Sequence, residues 1–199
     1  MNEQYYDAML NIKTTGEQKG FNQSMHYHRY EPTPYDALEK LFTQYELKSS
    51  DHIVDFGCGK GRLNFFVHYM YNATAIGIEM NETFYKEAIE NRDRYVRKRK
   101  NGKDKIHFYC CLAEEYEINP LDNRFYFFNP FSIQIFRGII NNILLSVERK
   151  KRDIELILYY SSDDYMYFLE NETAFELKEE IKLPENNLYE RFLIYKLEY

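Results

Sequence analysis

From residue 34 onward the apolar positions fall into two alternating rhythms. In EPTPYDALEKLFTQY, residues 31–45, Leu38, Leu41, Phe42 and Tyr45 recur every three or four positions, the stripe of an amphipathic helix. Thr33 is placed to cap that helix and Pro34 to occupy its first position, where a missing N–H costs nothing. Short apolar runs then alternate with helical stretches. They are HIVDF (52–56), a helix over 61–71, ATAIGIE (73–79), a helix over 82–97, KIHFYCC (105–111), a turn through AEEY, RFYFFN (124–129), a helix over 133–147 and DIELILYY (153–160). Apolar strands alternating with helices predict an α/β fold, a doubly wound and mostly parallel sheet with helices on both faces in three layers.

The end of the chain breaks this rhythm. After a short helix over 163–170, AFELKEEIKL (174–183) and LYERFLIYKLEY (188–199) read as extended segments on either side of PENN. They predict a C-terminal antiparallel hairpin that closes a seven-stranded mixed sheet. The first 33 residues are polar and aromatic with no sustained period, so they predict an irregular arm with one short helix near residues 5–11. A chain of 199 residues, 44% hydrophobic and 29% charged, supports one well-buried core. The expectation is a single domain over 1–199, with an arm or lid over 1–33 and a core over 34–199.

Composition narrows the function classes. Cys58, Cys110 and Cys111 form no CxxC pair, and adjacent cysteines do not readily bridge each other, so reduced thiols in a cytoplasmic protein are expected. No basic-then-apolar leader and no stretch of 18 apolar residues is present, which predicts neither secretion nor a membrane span. A net charge of -6 argues against gripping nucleic acid over the whole surface. One basic run, RDRYVRKRKNGKDK (92–105), reads either as a solvated helix end or as a local phosphate-binding patch. The 20 tyrosines, without a tryptophan, carry no functional inference.

The densest chemistry lies in IVDFGCGKGR, residues 53–62, where Gly57, Gly59 and Gly61 follow an apolar run. Glycines between a strand and a helix permit a tight turn and let a ligand approach the backbone and the free N–H groups of the helix start. A P-loop requires GxxxxGK[ST], and the fragment Gly59-Lys60-Gly61 has neither the spacing nor the hydroxyl. The dinucleotide fingerprint is GxGxxG, whereas this turn is GxGxG with Asp55 two residues ahead.

D-x-G-x-G-x-G after the first strand, with an acidic residue ending the second, resembles the class I S-adenosylmethionine-dependent methyltransferases, and the resemblance covers most of the chain. It implies that the turn Gly57, Cys58, Gly59 and Gly61 meets the methionine part of S-adenosyl-L-methionine, and that Asp55 orients its amino end. Glu79 is implied to accept from both ribose hydroxyls, a match of paired acceptors to a vicinal diol. Met80 is implied against the adenine face, and Leu112, Ala113 and Glu114 at its edge. S-adenosyl-L-homocysteine would be the product. Glu79 also has a plain reading as a strand-end charge and Glu114 as a helix-start surface charge, and Cys58 as a small buried residue within the turn.

The fourth strand ends in FYFFNPFS, 125–132. This resembles the [DNS]PP[YF] element of amino methyltransferases, in which a side-chain oxygen and a following carbonyl hold the target NH2. The resemblance makes Asn129 and Pro130 the catalytic candidates, with Asn129 also beside the cofactor. The element departs from the family pattern, having one proline and its aromatic, Phe131, one residue early, so the acceptor stays open. Asn129 and Pro130 also read as a plain strand stop, with Phe131 in the core.

The arm HYHRYEPTPY (26–35) precedes the first strand and is placed to cover the cofactor mouth, which makes Arg29, Tyr30 and Tyr35, with Phe131, candidate substrate contacts. His26 and His28 have the spacing of a metal pair but no third ligand nearby, so no metal is expected. The leading expectation is a methyltransferase acting on an amino group of a nucleic-acid base or protein, as a monomer or homodimer. RNA, DNA or protein would be read by the arm, the basic run and the rim around Asn129. Small-molecule methylation, a cofactor-binding regulator without chemistry and a nicotinamide oxidoreductase are the alternatives.

Overall fold

The computed structural model describes residues 3–16, 31–99, 102–183 and 187–199. Its strands are β1 (His52–Phe56), β2 (Thr74–Glu79), β3 (Ile106–Cys110), β4 (Arg124–Phe128), β5 (Ile154–Tyr159), β6 (Glu176–Lys182) and β7 (Arg191–Leu197). They form one sheet in the order β3-β2-β1-β4-β5-β7-β6. The first five are mutually parallel, and β7 lies antiparallel between β5 and β6. This is the doubly wound sheet with a terminal hairpin that the alternation predicts.

The helices are α1 (Glu3–Leu10), α2 (Tyr35–Gln44), α3 (Arg62–Tyr71), α4 (Glu82–Arg99), α5 (Ile133–Arg149) and α6 (Asp163–Glu172), with one 3-10 turn at Ala113–Glu115. Side-chain alternation along the strands divides the core in two. Ile53 and Tyr126 face a layer built by α1 to α4, where Leu10, Leu38, Leu41, Phe65, Phe66 and Tyr95 are buried. Val54, Phe56, Phe125 and Phe127 face the opposite layer, with Phe136, Ile140, Phe168 and Leu169 of α5 and α6. Buried on both faces, the central strands read as nearly continuous apolar runs.

Local details differ from expectation. Thr33 does not cap α2: its hydroxyl is bonded to the Tyr126 hydroxyl at 2.7 Å, and Pro34 is the cap residue. The free N–H of Tyr35 is instead met by the Glu3 carboxylate from α1 at 3.0 Å. A cap supplied from a distant helix satisfies the same orphan donor that a neighbouring hydroxyl would. The described start of the arm is also more ordered than its composition suggests. Residues 3–16 form α1 and a return strap that packs on α3 and α4, burying Tyr6, Leu10 and Ile12. No helix among the described residues is long and apolar enough to cross a membrane.

Candidate cofactor and acceptor site

Strand order reverses at β1, which pairs with β2 on one side and β4 on the other. In an open α/β sheet, the crevice at the carboxyl ends of the two strands flanking such a switch point is where ligands bind. Gly57 follows β1 and Asn129-Pro130 follows β4, so both motifs come to this crevice. They lie close: a Cβ added at Gly57 would meet Pro130 Cβ at 3.1 Å and Phe131 Cζ at 3.9 Å.

The turn is built for close approach. Gly57, Gly59 and Gly61 have φ of 80°, 54° and 84°, values that L side chains rarely adopt. Gly61, directly before α3, has a second constraint, since a Cβ there would sit 2.6 Å from the Phe108 ring. The amides of Gly57 and Cys58 both donate to Ile78 O, at 2.9 and 3.1 Å, and fasten the turn to β2. The Cys58 thiol is buried, and burial pushes its pKa up, which leaves it a neutral packing group.

The two carboxyls of the motif differ in their surroundings. Asp55 is buried one residue before the end of β1. Burial first, and the neighbouring Glu79 second, raise its pKa to about 8. Glu79 accepts from the Gly59 amide at 2.9 Å through one oxygen and from the Asn81 amide at 2.8 Å through the other. Burial raises its pKa while these backbone bonds oppose the rise. A carboxylate has about four lone-pair positions, so two remain for a ligand. The donor set thus fits a cofactor that brings a cation and a diol: a buried carboxyl, and a fixed carboxylate with acceptor capacity to spare.

Around these, Met80 is partly exposed beyond Glu79. Ala113 is buried in the 3-10 turn after β3, and Glu114 is half-buried there, its carbonyl held by Asn142 Nδ2 at 2.8 Å. Among the described residues, no group of three or more His, Cys, Asp or Glu could hold a metal ion. Arg29 and Tyr30, with His26 and His28, lie outside the described residues.

On the acceptor side, Asn129 is half-buried with φ of 38°. Phe131 is buried, and its carbonyl accepts from the Tyr165 hydroxyl at 2.6 Å, which ties the element to α6. Tyr35 is fully buried and donates its hydroxyl to Asp7 at 2.7 Å, so it belongs to the packing under the arm and not to a substrate rim. Tyr160 is the residue the motif reading overlooks. The last residues of β4 and β5 pair as Phe128↔Tyr159, so Tyr160 follows β5 as Asn129 follows β4, and its φ of 56° is unusual for a bulky side chain. Its ring stands 6.3 Å from that of Phe128, and its hydroxyl is bonded to Asn187. The only sequence signal was position, one residue past a buried strand.

The basic run lies at the other edge of the molecule. α4 starts near Glu79 and runs 18 residues away from the crevice, roughly 27 Å at the usual helical rise. Its end is spent on the arm: Lys98 donates to Ala8 O at 3.0 Å and Arg99 to Met9 O at 3.4 Å, with the Arg99 guanidinium 4.2 Å from the Tyr69 ring centre. Lys105 donates to Asn72 O at 2.6 Å. Two cations of the run, Lys98 and Arg99, thus meet the carbonyls at the end of α1, where positive charge is favourable.

Residues 34–115 match a family model described as a methyltransferase domain. An RNA methyltransferase from Salinibacter ruber, solved with S-adenosyl-L-homocysteine, aligns with TM-score 0.59 at 15% identity, over 83% of this chain and 92% of that one. TrmK of M. capricolum, also solved with S-adenosyl-homocysteine, aligns with TM-score 0.53 at 13% identity, over 83% and 68%. The chain has the class I methyltransferase fold. PH1948 of Pyrococcus horikoshii, a proposed RNA methyltransferase, aligns over 98% of this chain and 96% of its own, with TM-score 0.55 and 19% identity. No curated protein matches the chain significantly by sequence. In this methyltransferase fold the β1 turn, the end of β2 and the end of β4 are the positions that the motifs of this chain occupy.

Proposed function

We propose that this chain is an S-adenosyl-L-methionine-dependent methyltransferase that methylates an amino nitrogen, on a nucleic-acid base or a protein. The observation that carries this reading is the nearness of Pro130 to Gly57, where an added Cβ would stand 3.1 Å from the proline ring, which sets the turn suited to the cofactor beside the Asn129 element suited to the acceptor. Asp55 would take the amino end of the cofactor, Glu79 the ribose hydroxyls, and Met80, Ala113 and Glu114 would border the adenine. When bound, the cofactor supplies an electrophilic methyl on sulfur with a neutral thioether as leaving group. The protein's task is positioning. The Asn129 side-chain oxygen and the Pro130 carbonyl accept from the target N–H groups and so fix the direction of the nitrogen lone pair. The amine proton is lost to water, and no further group is called for. Phe128 and Tyr160 would form the aromatic side of the acceptor crevice, in place of the buried Phe131.

The test is to incubate the protein with methyl-labelled adenosylmethionine and extract of its source cells, then to treat separately with nuclease and protease. Label released by either enzyme supports the reading and names the polymer. Label in neither moves the acceptor to small molecules. Binding of S-adenosyl-L-homocysteine without any transfer leaves a cofactor-binding regulator.

A further inference from the structure

The arm and the glycine turn are joined more closely than packing alone requires. Asp7 of α1 is buried and accepts four hydrogen bonds: Thr14 N at 2.7 Å, Thr15 N at 3.4 Å, the Thr14 hydroxyl at 2.8 Å and the Tyr35 hydroxyl at 2.7 Å. Held in this way, the Thr14 hydroxyl turns its lone pair to Arg62 and accepts from Nε at 2.8 Å. Arg62 is the first residue of α3, directly after Gly61, and is itself buried. Its guanidinium also pairs with Glu3, donates to Thr33 O at 3.1 Å and lies 4.4 Å from the Tyr35 ring centre.

Two further ties reach inside the turn. Lys60, between Gly59 and Gly61, is buried, donates to Thr15 O at 3.4 Å and pairs with Glu87 at 2.9 Å. Asn91 of α4 donates to Lys60 O at 3.0 Å while exchanging a pair of hydrogen bonds with the Lys13 backbone, at 2.8 and 3.1 Å. The side chains of Lys60 and Arg62, and the backbone of Lys60, are therefore all tied to residues 13–15, the segment that Asp7 shapes.

We propose that Asp7, acting through Thr14, is a positioning residue for the cofactor turn, so that cofactor affinity depends on a carboxylate in the N-terminal helix with no part in the motif. The reason is entropic. A turn with three glycines has much backbone freedom to lose, and a ligand that must order it spends binding free energy on the ordering. A turn already fixed by the strap avoids that cost. The inference rests on the cofactor reading above.

The experiment compares the full chain with D7A, T14V and T14S, titrating S-adenosyl-L-homocysteine by calorimetry and following amide hydrogen exchange in the free proteins. D7A and T14V are expected to raise the dissociation constant at least tenfold and to speed exchange at residues 57–64, with exchange in β5 and β7 unchanged. T14S, which keeps the hydroxyl, is expected to stay within threefold of the unaltered protein. Should D7A fail to fold, T14V decides alone. Affinity within threefold in T14V, or exchange that rises equally in β5 and β7, overturns the proposal. If the unaltered protein does not bind S-adenosyl-L-homocysteine, the cofactor reading falls, and exchange at residues 57–64 still tests the tie to the strap.

Discussion

The two sides of the switch point are built differently. On the β1–β2 side, the turn is fixed by the Ile78 carbonyl, by Glu79, and by Lys60 and Arg62 reaching to the arm. On the β4–β5 side, the two paired strands are followed by Asn129 and Tyr160, both with left-handed backbones and half-buried side chains. Strained, half-buried residues at strand ends belong to sites that must present a side chain, whereas saturated hydrogen bonding belongs to sites that must not move. The comparison assigns rigidity to the half that would hold the methyl donor and exposure to the half that would meet the acceptor.

The comparison can be broken by perturbing either half. The largest effect is expected from Gly61→Ala, which puts a Cβ 2.6 Å from Phe108 at a φ of 84°. It should cost about 3 kcal/mol of stability in urea unfolding. Next is Asn129: Asn129→Ala and Asn129→Gly should each cut turnover about 100-fold, the size of effect seen when one positioned hydrogen-bonding group is lost. Affinity for S-adenosyl-L-homocysteine should stay within about threefold. The Gly variant keeps the left-handed backbone, so a loss shared by both belongs to the amide, and unchanged turnover would remove Asn129 from the acceptor site.

A pH effect should follow from Asp55. Its pKa of about 8 in the folded protein lies above the ordinary carboxyl value of 3.8, so the folded state binds more protons than the unfolded one across that interval. Its contribution therefore lowers stability as pH rises from about 4 to about 8, after which it levels. A cationic amino group binds the ionised carboxyl, so cofactor affinity should rise between pH 6 and pH 8 by about 50-fold and release a proton near pH 7. Calorimetry in buffers of different ionisation enthalpy measures that proton; none released would separate Asp55 from the amino end. The smallest effect should come from Tyr160→Ala, about a tenfold rise in KM for the labelled acceptor with unchanged affinity for S-adenosyl-L-homocysteine. Tyr160→Phe should restore it.

Much of this molecule could be read from the chain. The alternation of strands and helices, the hairpin, and the positions of Gly57, Glu79 and Asn129 at strand ends are written in short windows, because periodicity, glycine and proline act locally. Boundaries moved by one to three residues, as at α4, which extends to Arg99. The misplacements have a common cause. Thr33 looked like a cap and Tyr35 like a rim residue, and each was claimed by a partner far away in sequence: Tyr126 and Asp7.

The sequence by itself determined the order of elements, the sheet's change from parallel to antiparallel, and which strand ends carry the candidate chemistry. Only the tertiary structure decided what each charged or aromatic side chain does there. Lys60 and Arg62 stand inside and just after a glycine turn, and the sequence pattern assigns them no partner. In the fold they are buried against Thr15, Glu87, Thr14 and Glu3. A local pattern can specify a turn, but a buried charge must find its partner wherever the chain returns to it, and that depends on how the whole sheet is wound.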